Sequence, residues 1–223
     1  MSIATTGGPA DGPPLVELRE VHKRFAGVHA LRGISMRIEA GSVHGLVGEN
    51  GAGKSTLGRI VGGAVPPSDG ELRIAGQPVH YRSPREALGD GITVIQQELA
   101  LIPDLTVEQN VLLGVEPRRH GAIDRKACRR RFAELERRAG FGLDPDAPVG
   151  ALPIAQQQKV EILRAIARDA RVIVMDEPTS SLSREEAEQL HALIRALRDD
   201  GMAIVYVSHF LQEVIDLADR VTV

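Results

Sequence analysis

Two rhythms of apolar residues run along the chain and divide it into predicted elements. Strand-like alternation comes first, over Val16–Val21, Ala30–Ile38 and Ser42–Val47, with Gly27 and Gly41 marking turns. Lys54–Val61 reads as a helix that Gly62-Gly63 ends. The turn Pro66-Pro67-Ser68-Asp69-Gly70 precedes a strand pair near Glu71–Ile74 and Val79–Tyr81. Ser83-Pro84-Arg85-Glu86 predicts a capping box with proline in the first helical position. Ile92–Ile95 reads as a buried strand.

From Thr106 to Arg168 the helical rhythm takes over. Helices are expected from Thr106 to about Leu113, from Asp124 to Arg138 with a stop at Gly140, and over Gln156–Arg168, with no clear strand among them. The pattern predicts a helical subdomain inserted into an α/β core. Its basic run, Arg118, Arg119, Arg125, Lys126, Arg129, Arg130 and Arg131, reads as a solvated helix face offset by Glu134 and Glu136, with a partner patch as the alternative. Apolar β-type segments then return. Arg171–Met175 and Met202–Val207 have the unbroken apolar character of strands covered on both faces. Between them, Ser183-Arg-Glu-Glu186 caps a helix with Ala187, Leu190, Leu193, Ile194 and Leu197 on one face, ended by Gly201. Phe210–Ala218 is predicted helical and Arg220–Val223 begins a further strand. The pattern breaks off there, which predicts a fragment of a longer polypeptide. No internal repeat is visible.

Composition narrows this picture. A length of 223 residues corresponds to one domain or two small ones at about 150 residues each. The first 14 residues are rich in Gly and Pro and lack Lys and Arg; they read as a flexible tail, not a signal peptide. A net charge of −3 and only six Phe and Tyr argue against a nucleic-acid partner. No apolar run approaches the length of a membrane span. The single cysteine, Cys128, fits a reducing compartment.

Three sites carry candidate chemistry. Gly48-Glu49-Asn50-Gly51-Ala52-Gly53-Lys54-Ser55 fits the phosphate-binding loop pattern, between a strand ending at Val47 and a helix. Such a loop aims backbone N–H groups and a helix N-terminus at a phosphate. Lys54 is placed to reach the β- and γ-phosphates, and the Ser55 hydroxyl to ligate Mg²⁺. Asp176 ends an apolar strand, where a carboxylate is costly unless it serves a cation or hydrogen bonds. It is therefore a candidate Mg²⁺ ligand, and Glu177 beside it a candidate to polarise an attacking water. His209, after another buried strand, reads either as structural or as a γ-phosphate contact; its strand is expected next to that of Asp176.

Together these sites resemble the ATP-binding cassette family of ATPases from about Leu15 to the chain's end. The resemblance implies a P-loop α/β core with a mixed sheet, an N-terminal antiparallel β part and a helical subdomain over about 100–168, all within one nucleotide-binding domain at 15–223. It implies that Phe25 stacks on adenine and that Thr56 follows the loop's Ser55 in the nucleotide site. It places Gln97, ahead of the helical insert, at the position that contacts Mg²⁺ or water and links the site to a membrane partner. Ser180–Ser183 falls at the D-loop, with Ser183 where an acidic residue is common. His209 matches the switch histidine. Gln97–Asn110, Val149–Gln158 with Val160-Glu-Ile, and Ile204–His209 are similar to the sugar-importer ATPases, in which one polypeptide usually carries two cassettes. That likeness implies ATP and Mg²⁺ as ligands, a second cassette and membrane permease subunits as partners, an indirectly linked solute-binding protein, and a cytoplasmic place on the inner face of the membrane. The implied activity is ATP hydrolysis driving uptake of a small solute, a monosaccharide in the first instance. A non-transport cassette ATPase and a non-hydrolysing regulatory cassette are the alternatives.

One motif departs from the family. Leu-Ser-Gly-Gly-Gln, which faces the partner cassette's γ-phosphate, here reads Leu152-Pro153-Ile154-Ala155-Gln156. Pro153 has neither hydroxyl nor backbone N–H, and Ala155 adds a methyl group where close approach is useful. The expectation is an asymmetric dimer in which the site completed by this motif binds ATP but hydrolyses it poorly.

Overall fold

The computed structural model describes residues 13–49, 51–96 and 99–223. Residues 1–12 of the predicted tail 1–14, with Asn50, Gln97 and Glu98, lie outside the described residues. Along the chain the elements are β1 (Val16–Phe25), β2 (Val28–Ile38), β3 (Val43–Leu46), α1 (Lys54–Val61), β4 (Asp69–Ile74), β5 (Gln77–Val79), α2 (Pro84–Gly89) and β6 (Ile92–Ile95). There follow α3 (Val107–Leu112), β7 (Arg118–Arg119), β8 (Ala122–Ile123), α4 (Arg125–Ala139), α5 (Ile154–Ala167), β9 (Val172–Asp176), α6 (Arg184–Asp199), β10 (Ala203–Val207), α7 (Leu211–Leu217) and β11 (Arg220–Thr222).

The described residues form two compact units, one within 13–94, 171–177 and 195–223, the other within 95–170 and 178–194. The first holds two sheets. One is antiparallel, in the order β2-β1-β4-β5. The other runs β11-β3-β10-β9-β6, and its β3, β9, β10 and β11 are parallel. All of β3 and β10, and β9 up to Met175, are buried, as expected for Val- and Ile-rich strands of a parallel sheet. Leu15, Val16, Leu18, Ile38, Leu57, Ile60, Val174, Val205 and Val207 belong to one continuous core. Two glycines allow helices to approach this sheet closely. A Cβ on Gly58 of α1 would stand 3.0 Å from the Val174 side chain, and one on Gly45 would collide with Val214 of α7.

In the second unit α3, α4 and α5 pack on one another. The buried stripe of α4, Cys128, Phe132, Leu135 and Ala139, follows helical spacing. Asp124 accepts from the Ala127 N–H at its N-terminus, and Gly140 closes it at φ 66°. The helical reading of this stretch needs one correction: Arg118 and Arg119 lie in a small hairpin with Ala122 and Ile123. His120 and Gly121 turn it with φ of 51° and 83°, the pairing that two-residue hairpins favour. A two-residue strand is too short to show any period.

Other boundaries shifted for local reasons. β1 runs past Val21 to Phe25 because its pairing with β2 continues through irregular register to Phe25↔Val28. The second strand of the β4–β5 pair lies at Gln77–Val79, set by Ile74↔Gln77 at the turn. α5 starts at Ile154, two residues before the predicted Gln156, with Pro153 as its N-cap. α2 starts at Pro84 as expected, but Ser83 makes no side-chain cap, and Glu86 accepts from the Arg82 N–H instead. The capping box at Ser183 forms: Glu186 accepts from the Ser183 N–H, and Ser183 Oγ accepts from the Glu186 N–H. The basic run is largely exposed, as a solvated face should be, and finds acid partners beyond its own helix. Arg129 pairs with Glu108 and Asp146, and Arg131 with Asp169, while Glu136 accepts from the Gly142 and Leu143 N–H groups.

Candidate functional site: three parallel strand ends

Register brings the candidate residues of the first unit into one row. Val207 of β10 stands opposite Leu46 of β3 on one side and Asp176 of β9 on the other. The strands are parallel, so the segments that leave their carboxyl ends emerge side by side, the usual ligand position of such sheets. Those segments are the loop 47–53, the pair Asp176-Glu177 and the turn Ser208-His209.

Glycine conformation shapes the loop. Gly51 and Gly53 have φ of 85° and 96°. A Cβ on Gly53 would stand 2.6 Å from the Ala30 carbonyl oxygen and 2.7 Å from the Leu31 side chain, so the loop rests directly on β2. α1 starts at Lys54, so its free N–H groups open at the end of the loop. The Lys54 ammonium folds over the loop and donates to the Gly48 and Glu49 carbonyls at 2.7 and 2.9 Å. Glu49, Gly51, Ala52 and Ser55 are exposed, and Gly48 and Thr56 partly so.

The carboxylates sit across from that loop. The Ser55 hydroxyl donates to Asp176. Burial pushes the Asp176 carboxyl above its ordinary range; Ser55 and Lys54 pull it back, and the charge of Glu177 adds to the rise. Ser55 and Asp176 are thus two hard oxygen donors held together where negative charge is concentrated, which suits an oxygen-preferring divalent cation. Glu177 accepts φ 50°, in the left-handed region, while its N–H donates to the Val207 carbonyl at 2.9 Å. His209 Nδ1 lies 3.0 Å from Glu177 Oε1. The histidine side chain is 43% exposed and that of Glu177 17%, so the pair spans from solvent into the sheet end. The pairing of β10 with β9 was expected; the contact between His209 and Glu177 was not, since the sequence offered His209 only as a structural residue or a γ-phosphate contact.

Phe25 ends β1 on the hairpin whose β2 strand supports Gly53, and it is 41% exposed. Lys23 Nζ lies 5.0 Å from its ring centroid and donates to the Pro66 carbonyl. In the second unit, Leu152–Gln156 forms the N-terminus of α5. Pro153 and Ile154 are exposed, and the Gln157 side chain donates to the Leu152 carbonyl at 2.9 Å. Ser180, Ser181 and Ser183 are exposed just before α6. Lys159 of α5, 8% exposed, binds Glu186 at 2.8 Å and so ties α5 to the first turn of α6. Sequence reasoning did not find that ion pair, because nothing in spacing links residues 27 positions apart. It also missed Glu213, which accepts from Tyr206 and Ser208; the one available signal was an acid one helical turn past His209.

Comparison with known proteins adds a family and relatives. Residues 31–180 match the family model described as ABC transporter. The chain is 50% identical over 209 residues to a ribose import ATP-binding protein, RbsA 3, of Rhizobium meliloti, covering 94% of this chain and 41% of the relative. It is 48% identical to the arabinose import ATP-binding protein AraG of Azospirillum brasilense, covering 98% and 43%. The chain thus spans about two fifths of the length of the curated relatives it matches. Among solved structures, the dimeric bacterial ABC transporter cassette MJ0796 is similar at a TM-score of 0.82 and 27% identity, with 92% of each chain covered. A post-hydrolysis state of that cassette, bound to ADP and Pi, is similar at 0.80 and 28%. Among the described residues no helix is long and apolar enough to cross a membrane.

Proposed function

The chain belongs to the ABC transporter family, and from that premise we propose that it is an ATP-hydrolysing cassette that powers import of a small solute, a monosaccharide. The convergence of Lys54, Asp176, Glu177 and His209 at the ends of three neighbouring parallel strands carries the reading. The names of its relatives, import ATP-binding proteins for ribose and arabinose, support the solute class.

In this reading the loop 48–53 and the N-terminus of α1 hold the β-phosphate of ATP, with Asn50 included from its place in the motif. Lys54 leaves its carbonyl partners for phosphate oxygens of greater charge. Ser55 and Asp176, with Gln97 from the sequence pattern, would hold Mg²⁺, which would supply neutralisation of the phosphate charge. Glu177 takes the proton of the attacking water, and His209, bonded to Glu177, keeps the carboxylate aimed. Phe25 stacks on the base. The chemistry is mostly positioning and electrostatics.

A second cassette supplies the complementary signature, and permease subunits at the inner face of the membrane turn closure into transport; a solute-binding protein is the indirect partner. Pro153 favours a further reading, an asymmetric pair of sites. As N-cap of α5 it offers neither hydroxyl nor N–H toward a partner's phosphate. The full-length protein is expected to hydrolyse ATP with a Mg²⁺ requirement, and Lys54→Ala to abolish ATP binding. Undiminished binding in that variant overturns the site. Uptake assays with single labelled pentoses and hexoses in a deletion strain test the solute; unaltered uptake of every sugar overturns that class.

A further inference from the structure

His209 is an exposed side chain on a surface turn, and such a side chain is expected to swing. Its neighbours on both sides are fixed by one half-buried carboxylate. Glu213 Oε2 accepts from the Tyr206 hydroxyl at 3.0 Å and from the Ser208 hydroxyl at 3.1 Å. Ser208 Oγ in turn accepts from the Phe210 N–H at 3.0 Å. The Ser208 N–H donates to Leu46, the last residue of β3, at 3.2 Å. Tyr206 and Ser208 are 0% and 1% exposed.

An acid in the third position of a helix ordinarily reaches back to the N-cap N–H. Here Phe210 is the N-cap and has no side-chain cap of its own, and the Ser208 hydroxyl stands between its N–H and Glu213. The relay therefore clamps residues 208 and 210, and the residue between them is the one that meets Glu177 at 3.0 Å. A helix start alone needs no link to a fully buried tyrosine on the preceding strand.

We propose that Glu213 is a positioning residue for His209: through Tyr206, Ser208 and the Phe210 N–H it fixes the turn so that the imidazole holds Glu177. The inference rests on the reading of Glu177 and His209 as the hydrolytic pair. ATP turnover of the full-length protein tests it. Glu213→Ala is expected to lower kcat by about tenfold or more, in keeping with the cost of small misplacements, with KM for ATP within about twofold. Glu213→Gln keeps an accepting oxygen and is expected to restore most of the rate. Glu213→Ala added to His209→Ala is expected to cost nothing further. Should Glu213→Ala fail to fold, Ser208→Ala removes the relay hydroxyl alone and is expected to show the same kcat loss. Wild-type kcat in Glu213→Ala, or in Ser208→Ala where that variant stands in, overturns the inference when His209→Ala is impaired, as does full additivity with His209→Ala. Wild-type turnover in His209→Ala overturns the hydrolytic pair itself.

Discussion

Glu177 pays for its place with backbone strain. A non-glycine residue at φ 50° costs about 1–3 kcal/mol and persists where the surroundings hold it, here the bond from its N–H to Val207 and the contact with His209. Gly53 solves a similar problem without a side chain. Gly53→Ala is expected to destabilise the fold by about 2 kcal/mol, because φ is 96° and the new methyl meets the Ala30 carbonyl. Gly51→Ala, also at positive φ but with nothing within 4 Å, is expected to cost less. Denaturant unfolding of the two variants checks the order. At this scale the sequence was most informative. Loop glycines, Lys54 and the Asp176-Glu177 pair are local patterns with a fixed chemistry. Glu213 was illegible because its partners lie back along β10, and only the folded turn makes them neighbours.

Among the elements, β3 carries a buried histidine that makes stability depend on pH. Burial pushes His44 down to about 4, and the Arg220 charge adds to this; its Nε2 lies 2.8 Å from the Thr222 hydroxyl of β11. The unfolded chain binds this proton near 6.5 and the folded chain does not, so the stability is full above 6.5 and lost as pH falls to about 4. The loss is expected to be about 3 kcal/mol, and His44→Leu is expected to flatten it. Glu186 acts in a lower window. Lys159, with the Ser183 cap, holds its carboxyl down to about 2, so that contribution is present above about 4.5 and lost as pH falls toward 2. Glu186→Gln is expected to remove the pH dependence in that window, read by thermal melts. Helices and long strands were legible from apolar period and caps. The Ser183 box formed as its spacing implies, whereas Glu86 found the Arg82 N–H a better partner than Ser83. The β7–β8 hairpin escaped because its only signal was the His120-Gly121 turn.

On the scale of the whole molecule, apolar strands covered on both faces and the neighbourhood of β10 and β9 were legible, whereas the full order β11-β3-β10-β9-β6 came from the structure. The grouping of 178–194 with the helical unit had no sequence signal, since it depends on pairings such as Lys159 with Glu186. The proposed asymmetry of the two sites belongs to this scale too. In the full transporter, Pro153→Ser with Ala155→Gly is expected to leave the ATPase rate unchanged, all turnover already resting at the other site; a large gain contradicts asymmetry. The account as a whole depends on Glu177 as the base for water attack. Steady-state ATP turnover by the full-length protein carrying Glu177→Gln tests it most directly. A fall of about 100-fold or more with ATP binding retained is the expected result, as removal of a general base commonly gives. Turnover that survives the substitution contradicts it.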